Sequence, residues 1–349
     1  MAFLNDAWYV AAFADEITGE PQPRRLLDEA VVLYRGAQGQ AVALADRCPH
    51  RFAPLSRGRV VGDSLECGYH GLRFAPSGAC VHNPHGDCKI PAAAKVRHFP
   101  VLERDGLVWV WMGDAARADP ALALDLAPIL NPARQSIVRG KLRVKAHYQI
   151  IVDNLLDLGH VPYLHPQTLG NEESRGRSRN LMEQQGDRVW SYHWTDASPP
   201  SPTFAPFRRS TAPLVNLRAH ICWQAPANLT LEVGLTELDA VGDEGGLFGH
   251  MAHLLTPLSE HETEYYWLAG RNYAVGVETV DRITETMIRR AFEDEDEPMI
   301  EAIAQNMTST DLLSLAPVSL PSDAAGLRAR RLLAGLIKKE GSAATADLG

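Results

Sequence analysis

Short apolar runs broken by glycine and proline fill the first third of the chain. Ala30-Val31-Val32-Leu33-Tyr34 ends at Gly36, Ala41-Val42-Ala43-Leu44 follows, and Leu107-Val108-Trp109-Val110-Trp111 closes at Gly113. Runs this short, rich in β-branched and aromatic residues, predict strands, and residues 8–113 therefore read as a small all-β module. Over 115–132 the strand pattern stops and Ala, Leu, Asp and Pro take over, as in a surface connector. The boundary is placed there, giving domains 1–114 and 115–349. Beyond it, 142–146 alternates as a strand does and leads into a helical pattern over 149–158. Strand patterns return at 189–194, 229–235 and 263–267. A last helical region begins near Thr279, carries Ile283, Met287 and Ile288 on one face, and ends near Met307 with an interruption at Pro298. Strands grouped together, not alternating with helices, predict an α+β second domain. The small, polar tail 340–349 is expected to fray.

Composition narrows the class without naming it. The 349 residues are 45% hydrophobic and 22% charged, which is ordinary for a globular protein and excludes a disordered or fibrous one. The net charge of −9 argues against nucleic acid or an anionic membrane as partner, because both need a basic patch. No run approaches the ~20 apolar residues of a membrane span, and the opening residues lack a cationic, apolar leader, so the expectation is a cytoplasmic protein. In that compartment the five cysteines, 48, 67, 80, 88 and 222, stay thiols unless a metal claims them. Four of them crowd between 48 and 88.

Within that crowd, Cys48-Pro49-His50 and, sixteen residues later, Cys67-Gly68-Tyr69-His70 form two Cys/His couples on turns between strands. Thiolate and neutral imidazole bind soft and borderline metals, and two short-spaced couples can surround one centre; zinc and iron–sulfur both satisfy the donor set. Cys80 and Cys88, with His82 and His85 between them, read as strand and turn residues outside this site, and Cys222 beside Trp223 as a small buried apolar residue.

A second constellation lies in Asp153-Asn154-Leu155-Leu156-Asp157-Leu158-Gly159-His160-Val161-Pro162-Tyr163-Leu164-His165. On a helix, Asn154, Asp157 and His160 share one face, which sets a carboxylate beside an imidazole. Gly159 and Pro162 loosen the helix, so His165 is free to join His160 at one metal. Two imidazoles and one carboxylate on one side of Fe(II) is the arrangement that non-haem oxygenases use.

Both stretches resemble motifs of one family. The unequal spacing of Cys48-Pro49-His50-Arg51 and Cys67-Gly68-Tyr69-His70-Gly71-Leu72 is similar to the cluster-binding loops of Rieske oxygenases, and 153–165 is similar to their catalytic-iron motif. Asn5-Asp6-Ala7-Trp8-Tyr9-Val10-Ala11, the run from Cys48 to Ser56, Gly270-Arg271-Asn272-Tyr273 and Asp323 to Arg331 resemble the vanillate O-demethylase oxygenase branch, which includes dicamba and toluenesulfonate monooxygenases. The resemblance implies an N-terminal all-β Rieske domain and a C-terminal antiparallel-sheet and helix catalytic domain of helix-grip type. It implies a [2Fe–2S] cluster on Cys48, His50, Cys67 and His70, and a mononuclear Fe(II) on His160, His165 and a late carboxylate. Asp296 takes that place in the register of Glu295-Asp296 and Ile300-Glu301, with Asp294 the competing register; five consecutive acids before Pro298 could equally mark a helix N-terminus. Asp157, with Asn154 beside it, is implied in catalysis: it would link His160 to His70 of the neighbouring subunit in a homotrimer and carry electrons between them. The implied reaction uses O2 to hydroxylate the methoxyl of a vanillate-like aryl acid, releasing formaldehyde and a phenol. Ring hydroxylation, dihydroxylation and aryl-methyl oxidation are the alternatives on the same metals. With no Gly-rich dinucleotide motif, flavin motif or ferredoxin cysteine pattern in the chain, NAD(P)H would act only through a separate flavin/ferredoxin-type reductase. His253 matches the region of a substrate-facing histidine, and Asn228, Thr230 and Trp223 are expected beside it.

Overall fold

The computed structural model describes residues 3–346, with side chains up to 343, and divides into two compact units. The first runs to Ala123 and includes Thr256–Ser259. Its strands are β1 (Trp8–Phe13), β2 (Gln22–Leu26), β3 (Glu29–Arg35), β4 (Ala41–Ala45), β5 (Arg59–Val61), β6 (Ser64–Glu66), β7 (Arg73–Phe74), β8 (Cys80–His82), β9 (His98–Phe99), β10 (Val101–Arg104) and β11 (Leu107–Trp111). They form three antiparallel sheets, ordered β1-β11-β10, β2-β3-β4-β9 and β5-β6-β7-β8. The tryptophan-rich β11 lies between two partners and is buried along its whole length, which is why it reads as a continuous apolar run. The unit extends nine residues past the boundary expected at Asp114. Trp8 Nε1 donates to the Asp119 carbonyl at 2.8 Å, Arg117 pairs with Asp6, and Arg104 donates to the Pro120 and Ala123 carbonyls, so the supposed connector is tied to the β module.

The second unit is built on a seven-stranded antiparallel sheet. Its strands are β12 (Ser136–Val144), β13 (Arg179–Gln185), β14 (Arg188–Ser198), β15 (Val215–Gln224), β16 (Asn228–Glu237), β17 (Leu247–Ser259) and β18 (Glu262–Arg271), in the order β12-β18-β17-β16-β15-β14-β13. Five helices accompany it: α1 (Tyr148–Leu156), α2 (Val161–Leu164), α3 (Glu278–Arg289), α4 (Glu297–Asn306) and α5 (Ala324–Ala346). Helix α1 ends at Leu156, two residues before the predicted end, because Asp157 leaves helical geometry (φ −98°, ψ 89°) and its carboxylate accepts from Gly159 N–H to cap a 3-10 turn. The tail expected to fray from Glu340 continues α5 to Ala346; 347–349 lie outside the described residues. Packing overrides its weak composition: buried Arg330 grips Asp153 and Gln149 of α1, and Ala325, Ala329 and Leu333 are buried beside it in sequence. Among the described residues no helix is long and apolar enough to cross a membrane.

Candidate metal centres

The two Cys/His couples occupy loops of the same construction. Cys48 N–H donates to the Ala53 carbonyl at 2.9 Å and Phe52 N–H to the Cys48 carbonyl at 2.9 Å. In the second loop Cys67 N–H donates to the Leu72 carbonyl at 2.8 Å and Gly71 N–H to the Cys67 carbonyl at 3.0 Å. Both turns need a left-handed residue at the fifth position, supplied by Phe52 (φ 60°) and Gly71 (φ 73°). Gly68 serves a different need: a Cβ there would stand 2.6 Å from the Arg57 carbonyl oxygen, so only glycine lets the loop pass this closely.

These loops sort the donors by depth. Cys48 and Cys67 are buried in the core with Tyr34, Leu55, Leu65 and Phe74, while His50 is exposed and His70 half-buried, their ring centroids 4.5 Å apart. Burial pushes the Cys48 thiol up to about 11, against the pull of the His50 and Arg51 main-chain N–H groups on its sulfur. Two buried cysteine sulfurs, and two imidazoles nearer the surface, fit a cluster with one iron held by sulfur and the other by nitrogen. Cys80, in β8, and exposed Cys88 stand outside this donor set. His85 meets the second loop through a ring nitrogen 2.8 Å from the His70 carbonyl oxygen and an edge-on contact with the His70 ring, centroids 6.1 Å apart.

In the second unit His160, His165 and Asp296 converge, one ligand atom from each lying within 4.8 Å of the others. Both imidazoles are held at Nδ1. His160 Nδ1 is 2.5 Å from the Asp157 main-chain carbonyl, and His165 Nδ1 is 2.6 Å from Glu295 Oε2. Each therefore turns Nε2 toward Asp296 Oδ1, at 3.6 Å from His160 and 3.1 Å from His165. A metal about 2.1 Å from each donor needs donor pairs about 3.0–3.4 Å apart at octahedral to tetrahedral angles; the His165–Asp296 pair lies in that range and the His160–Asp296 pair just beyond it, and two imidazoles with one carboxylate are the donor set of a facial triad. Burial lowers the pKa of His160, and the nearby Asp296 only partly offsets this. For His165 burial also opposes the charge, but Asp296 and Glu295 together outweigh it and the pKa rises.

Two features of this site depart from the sequence reading. The contact from Asp157 to His160 is made by the main chain, because the helix that would have aligned the carboxylate with the imidazole ends one residue earlier. The acid run is not a helix N-terminus but a π-helical segment, Arg290–Asp296, between α3 and α4. Pro298 has no N–H and interrupts the α ladder, and the wider turn closes with Glu297 N–H donating to the Phe292 carbonyl. That segment buries Asp296 and Phe292 and sends Glu295 to His165 and to the Thr168 hydroxyl, at 2.6 Å each. Asn154 Nδ2 donates to Asp296 Oδ1 at 3.1 Å. The parts of Glu295 and Thr168 were missed; Glu295, adjacent to the ligand in an acid run, was the available signal.

A cavity of about 160 Å³ opens onto the triad, lined by all three of its residues together with Asn154, His193, Leu231, Val233, Met251, His253 and Phe292. His253 lies on it as expected, buried, with Nδ1 2.5 Å from the Tyr265 hydroxyl. Asn228 and Thr230 do not line it. Successive side chains of a strand face opposite sides, and those of Leu231 and Val233 turn inward, so the side chains of Asn228 and Thr230 face away. Trp223, though buried, is also outside the lining.

Comparison with known proteins agrees with this geometry. Residues 7–100 match the Rieske [2Fe-2S] domain, and residues 144–339 match the Vanillate O-demethylase oxygenase C-terminal domain. The chain is 38% identical over 343 residues to the oxygenase component of chloroacetanilide N-alkylformylase from Rhizorhabdus wittichii, covering 97% of each chain. Its fold matches the crystal structure of dicamba monooxygenase bound to 3,6-dichlorosalicylic acid with a TM-score of 0.90 and 33% identity, over 97% of this chain and 99% of that one. Dicamba monooxygenase with non-haem iron and dicamba gives a TM-score of 0.84 and 32% identity, over 98% and 99%. Matched in order along nearly its whole length, the chain belongs to the vanillate O-demethylase oxygenase family of Rieske monooxygenases, oxygenase components that use a [2Fe–2S] cluster, a mononuclear iron and electrons from a separate reductase.

Proposed function

We propose that the chain catalyses oxidative O-demethylation of an aromatic methyl ether. One atom of O2 enters the methoxyl carbon, and the resulting hemiacetal collapses to a phenol and formaldehyde. The other atom leaves as water, with two electrons and two protons supplied from outside. The observation that carries this reading is the position of the triad: His160, His165 and Asp296 form part of the wall of an otherwise largely apolar cavity, so a substrate held there lies against the metal. Cys48, His50, Cys67 and His70 would hold the cluster, and His160, His165 and Asp296 the iron. The two groups supply one-electron transfer and O2 activation.

The protein's own residues orient these groups. Glu295 and the Asp157 carbonyl fix the two imidazoles, while Asn154 steadies the Asp296 carboxylate. The Asp157 carboxylate would serve as the bridge to His70 of the next subunit in a homotrimer. Exposed Phe52 (61%) and Tyr69 (62%), beside the two cluster imidazoles, support a docking face there. NAD(P)H would enter through a flavin/ferredoxin-type reductase. The test is reconstitution with such a reductase and a panel of methoxyarenes. Formaldehyde and phenol in equal amounts are expected; hydroxylated or dihydroxylated products that keep the methoxyl would overturn the reading.

A further inference from the structure

We infer that the substrate is an uncharged aromatic compound carrying a hydrogen-bonding group such as an amide, not a carboxylate or sulfonate. The inference rests on the reading above in one respect, that the cavity at the triad is the substrate site. Its first support is the fate of Arg218, the only lysine or arginine in the lining among the described residues. Leu217 and Ala219 flank it on β15 and share the lining, so strand alternation sends the Arg218 side chain to the opposite face of the sheet. There Nε donates to Glu232 at 2.9 Å, NH2 donates to Asp243 at 2.9 Å, NH1 also pairs with Asp243, and the guanidinium lies 4.4 Å from the Phe248 ring centroid. Two carboxylates already match this cation, and it offers nothing to an anion in the cavity.

The second support is what the cavity does offer. His253 Nε2 and Ser201 Oγ are both buried, both belong to residues of the lining, and neither has a hydrogen-bond partner among the described residues. His253 Nδ1 is committed to the Tyr265 hydroxyl, which leaves Nε2 as its one available polar atom. His193 Nε2 is occupied in its turn: Ser191 Oγ donates to the Leu156 carbonyl and so accepts from Nε2 at 3.0 Å. Buried polar atoms without a protein partner favour a ligand that pairs with them. An imidazole and a hydroxyl, among Leu231, Val233, Met251 and Phe292, suit a neutral carbonyl or amide. A carboxylate there would find no lysine or arginine side chain to pair with, and the iron's charge is already partly matched by Asp296.

The test compares matched neutral and acidic ligands, methoxybenzamides against methoxybenzoates with the methoxyl at the same ring position, on the holoenzyme. Dissociation constants are measured without reductant, and formaldehyde release with it. Amides are expected to bind at least about 10-fold more tightly than their acids. Ser201→Ala and His253→Leu are each expected to erode that preference several-fold, while affinity for unsubstituted anisole is kept by at least one of them. If no amide in the panel binds more tightly than its acid, the inference is overturned. Amides that bind preferentially but release no formaldehyde would instead sink the demethylation reading alone, whereas acids demethylated more efficiently than amides would leave that reading intact and remove this one.

Discussion

Glu295 offers the sharpest test of how the iron site is held. Its Oε2 takes two short hydrogen bonds, from His165 Nδ1 and the Thr168 hydroxyl, both at 2.6 Å, and His165 is fully buried. Glu295→Ala leaves the imidazole N–H without its acceptor in a place water does not reach, and frees the ring to rotate its Nε2 away from Asp296. A hydrogen bond to a charged group contributes about 1.5–3 kcal/mol, and loss of the carboxylate behind a metal-ligating imidazole typically costs 10–100-fold in metal affinity, or about 1.4–2.7 kcal/mol. Glu295→Ala is therefore expected near the upper end and Glu295→Gln, which keeps an acceptor, near the lower. The assay is anaerobic titration of protein stripped of mononuclear iron with Fe(II) or Co(II), with the visible spectrum of the Rieske cluster as an internal control. Affinity within two-fold of the parent in both variants would refute the reasoning, as would equal loss of the cluster.

Three further outcomes follow from the same geometry. Asp157→Asn keeps a side-chain acceptor for Gly159 N–H and leaves the main-chain carbonyl that holds His160, so both metals should stay bound while turnover falls at least about 100-fold; undiminished turnover would remove the bridging role. Arg330→Met strands Asp153, whose pKa burial already raises despite the guanidinium, and with Asp153 a quarter exposed the cost is about 2–3 kcal/mol, less than for a fully buried pair. Thermal unfolding should show it, and Arg330→Met with Asp153→Leu should recover much of the loss; full stability of the single variant speaks against the contact. Burial lowers His147 and His193 to about 4 and His253 to about 3, below the usual 6.5. Below pH 6.5 the unfolded chain takes up protons that the folded one refuses, so this stability is complete above 6.5 and declines toward pH 4, with a ceiling of about 1.4 kcal/mol per pH unit per group. Urea midpoints should fall between pH 7 and 5, and a flat profile would contradict the buried neutral state.

The parts of the fold that were legible in the sequence are those encoded over a few residues. A Cys/His couple on a six-residue turn carries its own geometry, because the hydrogen bonds that close each loop lie within the motif itself, Cys48 to Ala53 and Cys67 to Leu72. The strand at 107–111 announced itself by an apolar run of the right length, and the one at 228–237 by the strand pattern over 229–235. The shared helix face of Asp157 and His160 fails for a local reason that is also visible in the sequence: Gly159 and Pro162 warn that helical spacing breaks down, and α1 ends one residue before Asp157. The π-helical segment is harder to read. Five acids before a proline satisfy the rules for a helix start, and only the pairing of Glu295 and Asp296 with His165, 130 and 131 residues away, favours the wider turn.

The substrate wall is the least legible part, and the reason is parity. Which side of β16 faces the iron depends on pairing with β15 and β17 across the sheet, and a shift of one residue exchanges Asn228 and Thr230 for Leu229 and Leu231. That exchange swaps polar side chains for apolar ones on this strand and leaves hydrogen bonding in the cavity to other segments, through His253 and Ser201. The same parity turns Arg218 out of the cavity and His253 into it. The metal motifs are thus held by contacts that survive changes elsewhere, whereas ligand preference rests on single side chains whose direction only the assembled sheet decides. A demethylase motif can therefore specify the oxidation while leaving the charge of the oxidised molecule to a handful of positions on β15, β16 and β17.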